Sequence, residues 1–304
     1  QLLLVGAAFI VAIVVTLLGY GWFETSFQPP RKTIAQISGE QIKLAEIVPY
    51  SALEAVAAGG TLSPEVGLNS FIRNALVRTY ASELGIEVTD KEIEDAVISR
   101  FEPVLPDAPE PGNLLTETGR ASLDLFLGAI RVNEDDYREW LAGTLYFNEL
   151  ANHFEAEAPE VEEQVFVEWI IGESTVTAQQ AFDRVIAGEE FADVANDLTV
   201  EQMISGPGGV IGWVPKGAIE ELDSVFFSED LVLNDLIGPL ITSAGSVVIR
   251  VTDGPSEQPV TPVMQNFLSV NAFQSWMDTK AVQSAFESEG LTLEDSQWVI
   301  DQIL

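Results

Sequence analysis

The sequence predicts an α+β protein with an N-terminal membrane anchor, a mostly helical region, a small β-α module and a helical C-terminal stretch. Three observations carry this. Residues 1–23 contain no charged side chain. Between Leu62 and Phe154 apolar residues recur mainly at helical spacing. Between Gln164 and Val251, β-rich runs alternate with two short helical patterns and a glycine-rich loop.

The apolar run LLLVGAAFIVAIVVTLLGYGWF exceeds the roughly 20 residues that a helix needs to cross a bilayer. Tyr20, Trp22 and Phe23 close it as interfacial aromatics do. A cleaved signal peptide has a shorter apolar core, of about 7–15 residues, and a small-x-small exit, which this run lacks. Residues 1–23 are therefore expected to span a membrane once. Arg31 and Lys32 follow the span, but two charges do not fix its orientation.

Residues 24–33 form a short Pro-containing linker. IAQISGEQIKLAEI then alternates apolar residues around a Ser-Gly turn, predicting a strand or hairpin. In SPEVGLNSFIRNALVRTYASELGI, Ser63 is the expected cap, Pro64 and Glu65 occupy the first turn, and Gly85 ends the segment. Leu68, Phe71, Ile72, Ala75 and Leu76 make its apolar face. VTDKEIEDAVISRF predicts a second helix, capped by Thr89 or Asp90, with Ile93, Ala96, Val97 and Phe101 inward. After the proline-rich EPVLPDAPEPGN come SLDLFLGAIRV and a long amphipathic helix carrying Tyr137, Trp140, Leu141, Leu145 and Phe147.

AEAPEVEE marks the next boundary. QVFVEWII reads as a strand, Gln164 to Ile171. Ala178, Ala181, Phe182, Val185 and Ile186 repeat at helical positions, Gly188 stops that helix, and Phe191, Val194, Ala195 and Leu198 line another. GPGGVIGW combines a turn that needs positive φ with entry into a strand. The module closes with SAGSVVIRVTDG, and from Thr261 helical spacing returns, with Phe273, Trp276 and Met277 apolar.

Composition narrows the function. Fourteen Lys and Arg face 48 Asp and Glu, a formal net charge of -34 over 304 residues, so phosphate backbones are repelled and no nucleic-acid partner is expected. The chain has no cysteine, which excludes disulfides, zinc-thiolate sites and thiol catalysis. Its single histidine, His153, removes histidine-rich metal sites as well. No acidic run has metal-loop spacing, and neither metal nor cofactor is expected.

The order AxxAFxxVxxGExFAxVA, GPGGVIGW and GxxxIRVTD resembles the parvulin-type peptidyl-prolyl isomerase (rotamase) domain. The preceding strand and helices, with the phrase ELGIEVTDKEIEDAV, resemble the N-terminal chaperone region of SurA-like and PrsA-like proteins. The resemblance implies a SurA-like helical domain over 34–160, a parvulin-like domain with a small four-stranded sheet over 161–256, and a C-terminal segment, 260–304, packing back on the helical domain. It also implies that everything after Glu24 lies outside the cytoplasm.

Parvulins lower the barrier to amide rotation, about 20 kcal/mol, by desolvating the imide and holding it twisted. The resemblance places two inward histidines, an acidic residue, a Ser or Thr and an apolar proline pocket in the site. Here the histidine positions fall on Trp169 and Val247, the acid on Glu201 and the hydroxyl on Thr199. The apolar groove maps to Ile211, Trp213, Ala218 and Leu222. With the histidine pair replaced, the site reads as degenerate, inactive or weakly active. Three functions stay open: a chaperone that holds unfolded polypeptide clients, a weakly active isomerase, and an accessory subunit of a stoichiometric membrane-protein complex.

Overall fold

The computed structural model describes residue 16 and residues 28–102, 115–199 and 206–304. The expected anchor, except for Thr16, lies outside the described residues, as does Glu201. Among the described residues no helix is long and apolar enough to cross a membrane. The protein mixes helices with small sheets in an α+β arrangement. The chain divides into two compact units, one made of residues 1–150 and 275–304, the other of residues 151–274.

In the first unit, β1 (Thr33–Ile37) and β2 (Glu40–Lys43) form the anticipated hairpin. Ile37 pairs with Glu40, which leaves Ser38 and Gly39 as the turn with φ of 52° and 83°. Positive φ at both positions suits the strands' right-handed twist. The two-residue strand β7 (Glu287–Ser288) joins the other side of β1, an addition that periodicity gave no sign of.

Helices α1 (Ile47–Ala57), α2 (Pro64–Tyr80), α3 (Asp90–Phe101), α4 (Glu117–Ile130) and α5 (Glu134–Glu157) follow. Ser63 Oγ accepts a hydrogen bond from the Val66 amide at 3.4 Å to start α2. Thr89, rather than Asp90, caps α3, in a reciprocal box with Glu92. A Cβ on Gly67 would lie 2.1 Å from Ser51 Oγ, so α2 reaches α1 only because that position has no side chain.

Two apolar clusters fill this unit. One gathers Ile34, Ile42, Leu44, Ile47, Leu68 and Leu76 with Val299, Trp276 and Met277. The other holds Leu53, Val97, Leu123, Leu127 and Tyr137. The C-terminal residues are also tied down by charge. Lys280 ion-pairs with Glu83 while its ammonium lies 5.2 Å from the Tyr80 ring centroid and 5.8 Å from that of Trp276. In α10 (Leu293–Ile303), Asp295 accepts a hydrogen bond from Lys32 at 2.6 Å and closes the capping box with Thr292.

The second unit is built on a four-stranded antiparallel sheet in the order β4-β3-β6-β5. Its strands are β3 (Val161–Gly172), β4 (Val210–Pro215), β5 (Leu236–Thr242) and β6 (Gly245–Pro259). Helices α6 (Thr175–Ile186) and α7 (Phe191–Leu198) follow β3, α8 (Asp223–Phe226) follows β4, and α9 (Pro262–Gln283) follows β6. Strand alternation separates two cores. Ile170 and Val248 face Ala178, Ala181, Phe191, Val194 and Ala195 of α6 and α7. Val165, Val167, Trp169 and Ile171 belong to the other core, with Val247, Ile249 and Val251. Ile186, expected inward, is 66% exposed because α6 ends there, and Gly188 follows with φ of 99°.

Candidate functional site

The glycine-rich loop fixes the entry to β4. Gly208 and Gly209 adopt φ of 74° and 77°, and the Gly208 amide donates to Asn196 Oδ1 at 2.8 Å. A Cβ on Gly209 would sit 2.2 Å from the Trp169 carbonyl oxygen and 2.9 Å from Ala195 Cβ. The loop therefore lies directly against β3 and α7, an approach only glycine permits. Gly212, at φ of 94°, has nothing within 4 Å of its would-be Cβ. It serves backbone conformation and not close packing.

On the far side of the sheet from α6 and α7, Trp169 and Val247 share one buried cluster. Ile171 pairs with Val247 and Trp169 with Ile249, so the two residues stand diagonally across neighbouring strands. Ala218 and Leu222, from the segment after β4, join the same cluster, and Ile211 packs on it half-buried. Asp223 fastens that segment by accepting the Gly217 amide at 2.9 Å. Burial pushes the Asp223 carboxyl above its ordinary pKa, against the opposing effects of the Gly217 hydrogen bond and Lys216.

Beside the two helices, the glycine loop and the sheet, the sequence sets a curated relative. The foldase protein PrsA of Halalkalibacterium halodurans is 24% identical over 179 residues, 58% of this chain and 48% of the relative. Over that stretch the chain is PrsA-like in sequence. It spans about half the length of the curated relative it matches. No family model matches it. Among solved structures, the PrsA peptidylprolyl isomerase of Bacillus anthracis covers 72% of this chain and 97% of its own at 12% identity, with a TM-score of 0.44. A SurA-like chaperone of Campylobacter jejuni covers 86% and 99% at 12% identity, with a TM-score of 0.29. These loose structural likenesses carry no part of the argument.

The cluster in the parvulin-like module is closed from above. Val260 and Met264 are buried in it, and Phe267 and Leu268 of α9 pack against it. Asn271 anchors the helix there, donating to the carbonyls of Gly217 at 2.7 Å and Ala218 at 3.2 Å. Ala218 and Leu222 are only 4% and 2% exposed, so they lie under other side chains and not along an open groove. Every residue named in this cluster is apolar apart from the indole nitrogen of Trp169, whose N–H is buried with no hydrogen-bond partner among the described residues. An unsatisfied donor of this kind costs about 1–3 kcal/mol, which the burial of the large ring offsets.

The remaining expected positions are elsewhere. Trp213 is half-buried and meets Phe166 edge-on at 5.6 Å. Thr199 ends α7, the helix packed on the opposite face, and its hydroxyl is buried without a partner among the described residues. His153 lies near the end of α5, 3.4 Å from Glu157. Among the described residues no group of three or more His, Asp or Glu side chains is arranged to hold a metal ion.

Sequence reasoning missed the lid formed by Met264, Phe267 and Asn271. Their helical spacing was legible, but not which face they would cover. It also missed Glu168 and Arg250, a cross-strand pair at 2.6 Å whose guanidinium rests 4.5 Å from the Phe191 ring centroid. That pair locks α7 to the sheet.

Proposed function

We propose that this protein is a membrane-anchored, extracytoplasmic holding chaperone whose parvulin-like domain is degenerate and serves structure instead of turnover. It binds unfolded polypeptide clients, and its domains follow the discontinuous plan 34–160 plus 260–304 around 161–256. The observation that carries the non-catalytic reading is the closed apolar cluster around Trp169 and Val247. Catalysis of amide rotation requires that a prolyl ring enter a site and that polar groups support the twisted bond. The side chains of this cluster are buried under α9, and the one polar group among them, the Trp169 indole N–H, is enclosed with them, so the positions of the histidine pair hold no exposed polar group. The uncharged segment 1–23 supports the anchor, and the similarity to a foldase supports client binding.

The test pairs two assays on the full chain in mild detergent. A protease-coupled assay on Xaa-Pro peptides is expected to show no rate above background, while aggregation of an unfolded client is suppressed. A robust isomerase rate abolished by a Thr199→Ala, Glu201→Ala double variant would overturn the non-catalytic reading. Protease added to intact cells, with any outer layer opened, is expected to digest the region after Glu24.

A further inference from the structure

One recess belongs to the first unit. It is a groove of about 890 Å³ between the β1–β2 hairpin and helices α1, α2, α3 and α5. Its apolar surface centres on Phe71, whose ring meets Tyr50 edge-on at 5.0 Å, and on Tyr146. Ala75 and Ala142 also line it. With them stand Glu40, Asp90, Asp136 and Glu139. Arg78 is the one cation among the described residues that line the groove, and Glu139 holds it at 2.6 Å. The lining thus combines aromatic rings with several carboxylates and a single guanidinium.

We infer that this groove receives an extended polypeptide segment bearing lysine or arginine, its cation seated against Asp136 and Glu139 and its stem over Phe71 and Tyr146. Charge complementarity identifies the occupant. Glu139 already pairs with Arg78, and Asp136 accepts from Asn133, so the balance of the whole lining decides. Glu40, Glu46, Asp90, Asp136 and Glu139 stand against the single guanidinium of Arg78, an excess that repels an anionic segment and attracts a basic one. Aromatic faces reinforce the choice, since a cation within about 6 Å of a ring centroid is attracted to it and its methylene stem packs on the ring. The groove exceeds what a lone side chain fills, and the strand residues Gln41 and Ile42 give it a wall suited to an extended chain. The local field agrees. Burial, followed by the charge of Glu139, pushes the Tyr50 hydroxyl up to about 12. Burial also raises the Asp136 carboxyl, helped by Glu139 and Asp135 against the Asn133 hydrogen bond.

This inference rests on the polypeptide-holding reading and names the client chemistry that the reading leaves open. The experiment measures fluorescence anisotropy of labelled peptides on the full chain in mild detergent. The probes are one apolar, serine-containing peptide with several lysines and two copies carrying glutamine or glutamate instead. The lysine peptide is expected to bind at least about tenfold more tightly than the glutamine copy, with the preference reduced by added salt. An Asp136→Asn, Glu139→Gln variant is expected to lose that preference, and Tyr146→Ala to weaken the lysine peptide several-fold. A charge-matched control, Glu173→Gln with Glu220→Gln in the second unit, is expected to retain it. Equal binding of the lysine and glutamine peptides would overturn the inference while leaving polypeptide holding intact. Equal loss in the control variant would reassign the preference to the overall surface charge and also overturn it. Binding of none of the three would remove the inference together with the holding reading.

Discussion

Replacing Gly209 with alanine tests whether the glycine loop is a packing device. The native φ of 77° is unfavourable for alanine, by roughly 1–2 kcal/mol. The added methyl would also lie 2.2 Å from a backbone oxygen of Trp169, which cannot swing away as a side-chain tip would. Overpacking of this kind costs typically about 1–3 kcal/mol, so the total is about 2–5 kcal/mol. Gly212→Ala is the internal comparison. It carries positive φ but meets nothing within 4 Å, so only the backbone cost of about 1–2 kcal/mol applies. Hydrogen exchange of the β3 and β6 amides reports the module's own opening free energy, which a whole-chain melt would blur. A difference of about 2 kcal/mol between the variants appears as roughly thirtyfold faster exchange in Gly209→Ala. Equal exchange rates in the two variants would refute the packing argument and leave both glycines as simple turn residues.

Two further perturbations probe the first unit. Lys280→Ala removes an ion pair with Glu83 and a stem packed near Tyr80 and Trp276, with an expected loss of about 1–2 kcal/mol in that unit's thermal unfolding. Glu83→Gln, which keeps the stem in place, is expected to lose less than about 1 kcal/mol. The Asp295 carboxyl gives a pH dependence. Burial alone would raise its pKa, but hydrogen bonds from Lys32 and Thr292 outweigh burial and bring it below the usual value. A lowered folded-state pKa contributes stability that is fully present above the unfolded value, about 4, and is lost as pH falls through the folded one. The stability gap between the native chain and Asp295→Asn is therefore expected to be constant near neutrality and to close below about pH 4, as followed by denaturation at each pH.

What was legible from sequence were features whose cause is local. Ser63 and Thr89 announce helix starts because their hydroxyls answer nearby amides, and the Ser38-Gly39 turn is legible because positive φ is a property of the turn itself. The alternation in QVFVEWII and the spacing of Ala178, Ala181 and Phe191 likewise record which side is buried. Helix α1 was missed because Ile47, Val48, Leu53 and Val56 leave little polar face between them, and its helix carries no side-chain cap hydrogen bond. Strand β7 exists through pairing with β1, about 250 residues earlier, and two residues carry no period. The site divides in the same way. Motif spacing indicated where Trp169, Val247, Ala218 and Leu222 stand in the module, but not that Met264 and Phe267 would seal them in. The acidic groove draws on segments from residue 37 to residue 146, so no stretch of sequence displays it.

The outer ends of β3 and β6 have a consequence for the order of folding. Val161 pairs with Pro259, and the Val260 amide donates to the Glu160 carbonyl at 2.9 Å. Inside the segment 151–274 that separates the two pieces of the first unit, positions 161 and 259 are therefore held side by side. Joining distant segments through a long flexible chain carries a closure entropy that grows with the logarithm of its length. Once residues 161–259 are folded, that chain behaves as a short, stiff hairpin, and most of the closure cost has already been met inside the module. During synthesis, the module's sequence is complete before the residues after Ser275 have been made. The late-arriving helix α10 then docks onto a framework whose ends are already gathered, and a lesion that opens the β3–β6 ribbon will delay assembly of a unit it does not belong to.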